Sequence, residues 1–471
     1  MDFRRDTVIG LASQVRSGQL SAREVVSHSL SQIEALNPVV NAFVAVDGER
    51  ALDEAAAIDA VVSAGRDPGP LAGIPVGVKD LEDAEGFVTT NGSVLFADTG
   101  PAKHDSVLVA RLRAAGAIVV GKTNTPELGH KADTDNVLFG GTKNPWNLDH
   151  SPGGSSGGTA AAIASGMIPL GTGSDGGGSI RIPSSCCGLS GMKPSLGRVP
   201  SGGPHPPDWV DLSTRGPMAR RIGDVVAALE VTVGPDPTDL RSLPRPEASW
   251  RAVLEDPRVP ARIAWSPTLG YAPLDEEVRK ICSRAIDVLV GLGAEVIEAT
   301  DVFEEDPVSD WLTLVSSYCA RTLDGHRTSE AWANVDPILA ALTDHAADNF
   351  KAVEVVKAAD ACHLLNLRLV ELFHDVRLLI TPTCAAPPPP RSLNGSGMIN
   401  GVEDANWVRF TYPFNMTRSP AATVCVGLTT KGLPVGLQLV GPQHADLVVL
   451  RSAAALEQAI GFEQVAQITA A

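Results

Sequence analysis

The sequence predicts an α/β protein in which helices cover a central mixed β-sheet. A helical pattern, a glycine and a short apolar run follow one another over residues 105–121, and the same order recurs over residues 275–298. Near the end of the chain, a strand pattern at 435–440 precedes a helical pattern at 445–459. Alternating helices and short apolar strands are typical of sheets that helices cover.

The first predicted elements are helices over residues 6–36. Ser21 and Glu24 have the spacing of a capping box. Apolar residues follow them at helical intervals, and the pattern predicts that the helix ends before Pro38.

The later elements follow the same logic. Asp105 is predicted to cap a helix that Gly116 ends before a buried strand at 117–121, and Asp275 is predicted to cap another. The proline run 387–390 is predicted to be a surface loop or bend. No irregular stretch is long enough for a flexible interdomain linker, so we expect one domain over residues 1–471.

Composition excludes several classes of protein. Lys and Arg number 38 against 55 Asp and Glu, and the resulting charge of −17 argues against binding to nucleic acid or to an anionic membrane. Apolar runs fall short of the roughly 18 residues of a membrane span. Seven cysteines without a C-x-x-C pair, and a start without an apolar signal segment, predict a reduced cytoplasmic protein.

Glycine is concentrated in one part of the chain. Of the 45 glycines, 17 fall within residues 140–203, mainly in three pieces at 153–158, 171–175 and 176–181. Glycine lets backbone N–H groups face a ligand without an intervening side chain. We therefore predict a functional site here rather than flexible surface loops.

Three generic motifs match this region or its neighbours, but each lacks its structural context. Residues 171–176 fit the dinucleotide fingerprint, yet more glycine and Pro183 follow where a helix should open. Residues 116–123 fit a P-loop, although the four middle residues are strand formers. Residues 190–193 fit the Ser-x-x-Lys motif without its companion motifs.

A nucleophile elbow at residues 153–157 is the stronger competitor. An elbow needs a strand directly before its serine, and Pro145 and Pro152 make the preceding segment a poor strand. It also needs a downstream acid and histidine, for which the sequence offers only His205, His326 and His345, all without distinguishing context.

Taken together, these pieces resemble the amidase signature family. The resemblance rests on Gly-Ile-Pro-Val-Gly-Val-Lys-Asp at 73–80, on 153–158 and 176–181, and on segments at 123–127, 216–220 and 432–438. It implies the amidase-signature fold with a mixed sheet sandwiched by helices, a helical part at about 1–60, a core at about 70–220 and a variable pocket region at about 300–420. It also implies no cofactor and no metal.

The same resemblance implies a Ser–cisSer–Lys triad of Ser179, Ser155 and Lys79, with a cis peptide bond between Gly154 and Ser155. The chemistry is consistent, since amide cleavage needs an activated nucleophile and a base, and no histidine lies in these motifs. Lys79 can be that base only when neutral, so its pKa must fall from the reference of about 10.4, as burial among apolar residues would cause. The expected relay passes the proton of Ser179 to Ser155 and that of Ser155 to Lys79.

The backbone N–H groups of Gly176, Gly177, Gly178 and Ser179 are the candidate oxyanion hole. Many members of the family carry Thr or Ile where this chain has Gly176, which would either loosen the hole or open room beside it. Asp175 and Arg181 flank the loop, and we expect them to clamp it through a charged hydrogen bond.

Other residues have an expected structural or binding role. Cys186 and Cys187 are predicted to be small buried fillers rather than nucleophiles. The predicted pocket wall consists of Trp209, Trp311, Leu314, Tyr318, Trp407 and the loop His205-Pro206-Pro207, although these aromatics would equally suit a core.

The mostly apolar wall favours small aryl or alkyl amides, as in bacterial acylamidases and urethanases, with esters and carbamates as further substrates. The alternative is the glutaminase A subunit of a glutamyl-tRNA(Gln) amidotransferase, for which Arg418 and Asp404 would hold the glutamine zwitterion. A third alternative is a non-catalytic anion-binding module. The expected partner is a small-molecule amide, and the sequence leaves a homodimer open.

Overall fold

The computed structural model describes residues 1–204, 206 and 208–469. The strands are short and are distributed along the chain. They are β1 (Phe43–Val46), β2 (Pro75–Lys79), β3 (Ile118–Thr123), β4 (Leu170–Asp175), β5 (Ser190–Lys193), β6 (Thr214–Ala219), β7 (Arg262–Trp265), β8 (Glu295–Glu298), β9 (Leu379–Pro382), β10 (Gly397–Ile399), β11 (Val402–Asp404), β12 (Ala421–Leu428) and β13 (Pro434–Val440).

The α-helices alternate with these strands along much of the chain. They are α1 (Val8–Arg16), α2 (Ala22–Val40), α3 (Gly48–Ser63), α4 (Val107–Ala114), α5 (Gly157–Ser165), α6 (Arg181–Cys187), α7 (Ile222–Thr232), α8 (Ala252–Glu255), α9 (Glu276–Gly291), α10 (Val308–Leu323), α11 (Pro337–Asn349), α12 (Ala352–Asp375), α13 (Pro413–Met416) and α14 (Asp446–Ile460).

In the described part of the chain, 11 strands form one sheet in the order β1-β3-β2-β4-β6-β5-β12-β13-β9-β7-β8. Strands β3, β2 and β4 run parallel, whereas β4, β6, β5, β12, β13 and β9 pair antiparallel. Every residue of β2, β3 and β13 is buried, as expected for strands with both faces covered. The predicted mixed sheet between helices is confirmed.

Several local predictions hold, and two helix ends differ. The capping box of Ser21 and Glu24 is present, and Asp275 caps α9. Helix α2 continues through Pro38 to Val40, because a proline in the last turn removes only one helical hydrogen bond. The cap of α4 is Ser106 and not Asp105.

Asp105 has other partners. Its carboxylate accepts a hydrogen bond from Glu85 N at 2.7 Å and pairs with Arg113 at 3.1 Å. Of the predicted surface loop or bend at 387–390, the bend is present at 387–388, but the surface position is wrong, since Pro388 and Pro389 are buried. The Pro389 carbonyl accepts from Ser151 N at 2.8 Å, so this run packs against the 151–153 loop.

A second apolar cluster lies apart from the main core that surrounds the sheet. It joins α10 and α11 to the turn 208–211 and to Leu128, with members such as Trp209, Leu314 and Leu339. None of the helices in the described residues has the length and hydropathy needed to cross a bilayer.

Candidate active site

Lys79 lies at the end of β2, fully inside the protein. Its side chain is 1% exposed, and its backbone N–H donates to Thr172 Oγ1 at 3.0 Å, which ties β2 to β4. The side-chain amine Nζ donates to Ser155 Oγ at 2.7 Å and to Ser174 Oγ at 3.0 Å. The structure therefore joins two of the three predicted catalytic residues directly.

Ser155 sits in the loop before the buried helix α5, and the peptide bond between Gly154 and Ser155 is cis. Thr134 Oγ1 holds the loop on both sides of this bond, donating to Gly153 O at 2.8 Å and accepting from Gly157 N at 3.1 Å. These bonds fix the loop that presents the Ser155 hydroxyl to Lys79.

Ser179 lies between β4 and α6, with an exposed fraction of 8%. Its carbonyl accepts from Ser156 N at 3.2 Å, so the Ser179 loop and the Ser155 loop are directly connected. Among the described residues no hydrogen bond joins the Ser155 and Ser179 hydroxyls. Catalytic hydrogen bonds often form only when substrate is bound.

Asp175 and Arg181 form the expected clamp. The Arg181 guanidinium donates to both carboxylate oxygens, from Nη2 at 2.8 Å and from Nε at 2.9 Å, and both side chains are fully buried. Burial alone would raise the pKa of Asp175, but the charge and hydrogen bonds of Arg181 hold it well below its usual range. A permanently ionised Asp175 can thus organise the loop that follows it.

The N–H groups of the glycine loop are not equivalent. The N–H of Gly178 donates to Asp175 Oδ1 at 2.8 Å and so is already occupied. Gly178 has φ +126°, a conformation that glycine adopts readily. In the described part of the chain, the N–H groups of Gly176, Gly177 and Ser179 make no intramolecular hydrogen bond, which leaves them as the candidate oxyanion donors.

Two tryptophans lie against this loop. A Cβ atom on Gly176 would lie 2.7 Å from Trp209 Cε3, and a Cβ on Gly177 would lie 2.5 Å from Trp311 Cζ2. The ring centroids of Trp209 and Trp311 are 6.0 Å apart, and Tyr318 lies 6.2 Å from Trp209. The room beside Gly176 is therefore filled by an indole ring.

Two cavities lie beside these aromatic side chains. A cavity of about 60 Å³ is lined by Ser174, Trp209, Leu128 and Tyr318 among others. Tyr318 also lines a larger cleft of about 820 Å³. Tyr318 therefore lines both cavities, and the smaller one reaches Ser174, whose hydroxyl accepts from Lys79 Nζ.

Two residues that were predicted to line the pocket, Leu314 and Trp407, are buried in different apolar clusters. Leu314 is buried in the second apolar cluster with Trp209. Trp407 was predicted to line the pocket, but it is fully buried in the main core, where its Nε1 donates to Gly395 O at 2.9 Å and its ring packs on Gly397. His205 and Pro207 lie outside the described residues.

The competing motifs have structural explanations. Lys122 of the P-loop pattern lies within β3 and forms a buried ion pair with Asp80 at 3.1 Å. In the Ser-x-x-Lys pattern, the Ser190 hydroxyl donates to Glu457, while Lys193 Nζ donates to Pro194 O at 3.1 Å. Within the described residues, neither lysine hydrogen-bonds to a serine hydroxyl.

The remaining alternatives also fail on geometry. Among the described residues, no strand lies directly before Ser155 and no histidine hydrogen-bonds to it, as an elbow would require. Cys186 and Cys187 are buried, and burial raises the pKa of both thiols, so they remain protonated fillers. The part of the chain that the structure describes holds no cluster of three His, Cys, Asp or Glu side chains suited to a metal.

Sequence reasoning missed several supporting residues. Ser174 contacts Lys79 Nζ, and strand alternation with Thr172 was a signal that both face the same side of β4. Thr411 and Asn415 donate to loop carbonyls from more than 230 positions away in sequence, at Gly177 and Asp175. No local pattern reports such distant contacts.

The fit between Gly176 and Trp209 can be tested by a double-mutant cycle. Gly176 has an ordinary φ, so Gly176→Ala crowds the indole without straining the backbone, and we expect it to lower the free energy of unfolding by about 1–3 kcal/mol. In a Trp209→Ala background the same change should cost little, and Gly325→Ala, with open space around it, is the control. If urea unfolding shows that Gly176→Ala lowers the free energy of unfolding equally in the wild-type and Trp209→Ala backgrounds, the Trp209 indole does not limit the space at Gly176.

Comparison with known proteins shows which family the chain resembles. Residues 24–450 match the model of the protein family described as Amidase. The chain is 37% identical over 456 residues to an acylamidase of Rhodococcus erythropolis, covering 95% of this chain and 94% of the acylamidase. It is 32% identical over 480 residues to the A subunit of the glutamyl-tRNA(Gln) amidotransferase of Synechococcus sp. (strain RCC307), covering 97% and 96% respectively.

A solved structure agrees in fold. A bacterial aryl acylamidase of the amidase signature family superposes with a TM-score of 0.90 at 30% identity, over 96% of each chain. The family match spans most of the chain, and the acylamidase relative aligns almost end to end. The chain therefore belongs to the amidase signature family and is an amide hydrolase.

Proposed function

We propose that this amidase cleaves small apolar aryl or alkyl carboxylic amides through an acyl-enzyme on Ser179. The observation that carries the proposal is the 2.7 Å contact between the buried Lys79 Nζ and Ser155 Oγ, next to a glycine loop with unoccupied N–H groups. A buried amine favours its neutral form, and a neutral amine is a base. Esters and carbamates are proposed as further substrates, since the same acyl transfer serves each carbonyl.

The proposed mechanism transfers protons in two steps along Ser179, Ser155 and Lys79. The Ser179 oxygen attacks the substrate carbonyl carbon while its proton passes to Ser155, and the Ser155 proton passes to Lys79. The relay then runs backwards and protonates the leaving nitrogen as the C–N bond breaks. Water, activated by the same relay, hydrolyses the acyl-enzyme and releases the carboxylic acid.

The surroundings support an apolar substrate. Trp209 and Trp311 pack on the glycine loop. Tyr318 lies 6.2 Å from Trp209 and also lines the large cleft. Such a wall offers a large apolar surface and flat faces for an aryl group. A charged substrate would lose hydration against it without gaining ion pairs from these rings.

The second candidate function, the glutaminase A subunit, is favoured by the relatives at 32% identity. It needs charged groups that hold the glutamine zwitterion. Instead, Arg409 Nη2 donates to both carboxylate oxygens of Asp404, at 2.6 and 2.7 Å, and Arg418 is exposed. These side chains do not form the charged site that we expected for glutamine.

A substrate panel decides between the two functions. We expect purified protein to hydrolyse anilides and alkyl amides of small apolar acids with higher kcat/KM than glutamine, with each rate compared against Ser179→Ala. Esters and carbamates in the same panel test the breadth of the site. Release of ammonia from glutamine as the preferred reaction would overturn the proposal in favour of the glutaminase function.

A further inference from the structure

The backbone carbonyls of the four residues before Ser179 are each held by a hydrogen bond from elsewhere in the chain. Buried backbone groups require such partners, and here each partner also fixes a peptide plane. The four bonds run from Asn415 Nδ2 to Asp175 O (2.7 Å), from Trp311 Nε1 to Gly176 O (3.1 Å), from Thr411 Oγ1 to Gly177 O (2.6 Å) and from Ile182 N to Gly178 O (2.7 Å).

Holding a carbonyl also directs the next N–H group. In a planar trans peptide the C=O of one residue and the N–H of the next point in opposite directions. The Thr411 bond thus orients the N–H of Gly178, which Asp175 accepts. By the same geometry, the Trp311 bond orients the N–H of Gly177, which has no acceptor in the described part of the protein.

Trp311 differs from the other three donors in its position. Thr411 and Asn415 are at most 1% exposed, and Ile182 donates from its backbone within α6. Trp311 is half-buried on α10, packs with the second apolar cluster and makes the longest of the four bonds. The Gly176–Gly177 peptide plane, which directs the Gly177 N–H, is therefore held by a side chain that lies outside the main core.

The indole itself is held in place. Its ring stacks on Tyr412 at 5.2 Å and 25°. The Tyr412 hydroxyl donates to Asp306 and accepts from Asn406 Nδ2 at 2.9 Å. A side chain fixed in this way can transmit a defined orientation to the peptide that it contacts.

We propose that Trp311 is a positioning residue for the oxyanion hole: its indole N–H fixes the Gly176–Gly177 peptide so that the Gly177 N–H faces the oxyanion formed at Ser179. The inference rests on the proposed acyl-enzyme function. Because the oxyanion exists only in the transition state and the tetrahedral intermediate, losing this orientation slows kcat more than it weakens substrate binding.

The test compares Trp311→Phe with Trp407→Phe. Each variant keeps an aromatic ring and deletes one indole bond to a glycine carbonyl, at Gly176 and at Gly395 respectively. Removing a direct oxyanion donor typically costs about 10²–10³ in rate, so deleting its support should lower kcat by about 5–20-fold with little change in KM. Trp407→Phe should leave kcat unchanged, whatever its effect on thermal stability.

A second readout separates positioning from structural damage. A trifluoromethyl ketone that forms a tetrahedral oxyanion on Ser179 should bind Trp311→Phe more weakly by the same factor as kcat, while a non-reactive substrate-like amide binds as before. If Trp311→Phe does not fold, a benzothienylalanine at position 311 keeps the ring shape and removes only the N–H donor.

The outcomes are distinct. The positioning role is overturned if Trp311→Phe and Trp407→Phe have equal kcat, or if the ketone and the non-reactive amide are weakened equally. In either case, an inactive Ser179→Ala still supports the proposed function. Activity retained by Ser179→Ala overturns the proposed function itself, and with it this inference.

Discussion

Ser179→Ala is expected to lower kcat/KM for every amide and ester substrate by about 10⁴-fold or more, because no other group can form the acyl-enzyme. Ser179 is 8% exposed and its side chain makes no hydrogen bond within the described residues, so its loss leaves the packing intact. The variant should therefore unfold at the same urea concentration as the wild type while its activity disappears. Steady-state rates and urea unfolding measure the two effects separately.

Ser156→Ala is the matched control for this prediction. Ser156 is the neighbour of the relay serine and is fully buried, and within the described residues its hydroxyl makes only a long bond to Ser174 O at 3.4 Å. Removing it should leave at least a large part of the activity. If Ser179→Ala kept activity comparable with Ser156→Ala, Ser179 would not be the nucleophile.

Lys79→Met is expected to lower kcat/KM by about 10²–10⁴-fold, the usual contribution of a general base. Only the neutral amine accepts a proton, so raising the pH should increase wild-type activity as Lys79 loses its proton. In Lys79→Met this rise toward alkaline pH should be absent. Profiles of kcat/KM between about pH 6 and 9 measure both effects.

Lys357→Met serves as the control for the pH experiment, since Lys357 is exposed on α12 and its removal changes the net charge by the same amount. It should keep the wild-type profile. A flat profile in the wild type, or an alkaline rise that survives in Lys79→Met, would show that another group is the base.

Motif spacing predicted the part of the site that is local in sequence. Lys79 ends an apolar run that forms a fully buried strand, and Ser155 lies in a glycine-rich loop directly before a buried helix. The Asp175–Arg181 pair spans one loop, and its bidentate geometry follows from that short separation. The resemblance to the family implied the catalytic roles, whereas glycine conformation and charge pairing indicated the loops and the clamp from the residues themselves.

The sequence pattern did not predict which aromatic and proline residues are buried in the core, because tertiary packing determines it. Trp311 and Trp407 look alike in sequence, yet one donates to the glycine loop and the other to the Gly395 carbonyl from inside the main core. The proline run 387–390 resembles a surface loop, but Pro388 and Pro389 are buried, and the Pro389 carbonyl accepts a hydrogen bond from the distant Ser151 N. Contacts between residues far apart in sequence produce no local hydrophobic periodicity from which they could be predicted.

The central claim is that Ser179 carries the acyl group while Ser155 relays its proton. The most direct measurement traps the enzyme with a serine-reactive aryl phosphonate and maps the adduct by peptide mass spectrometry. The account predicts one adduct, on Ser179, and none in Ser179→Ala. An adduct on Ser155 in the wild-type protein would contradict it and make the 153–157 loop the nucleophile site.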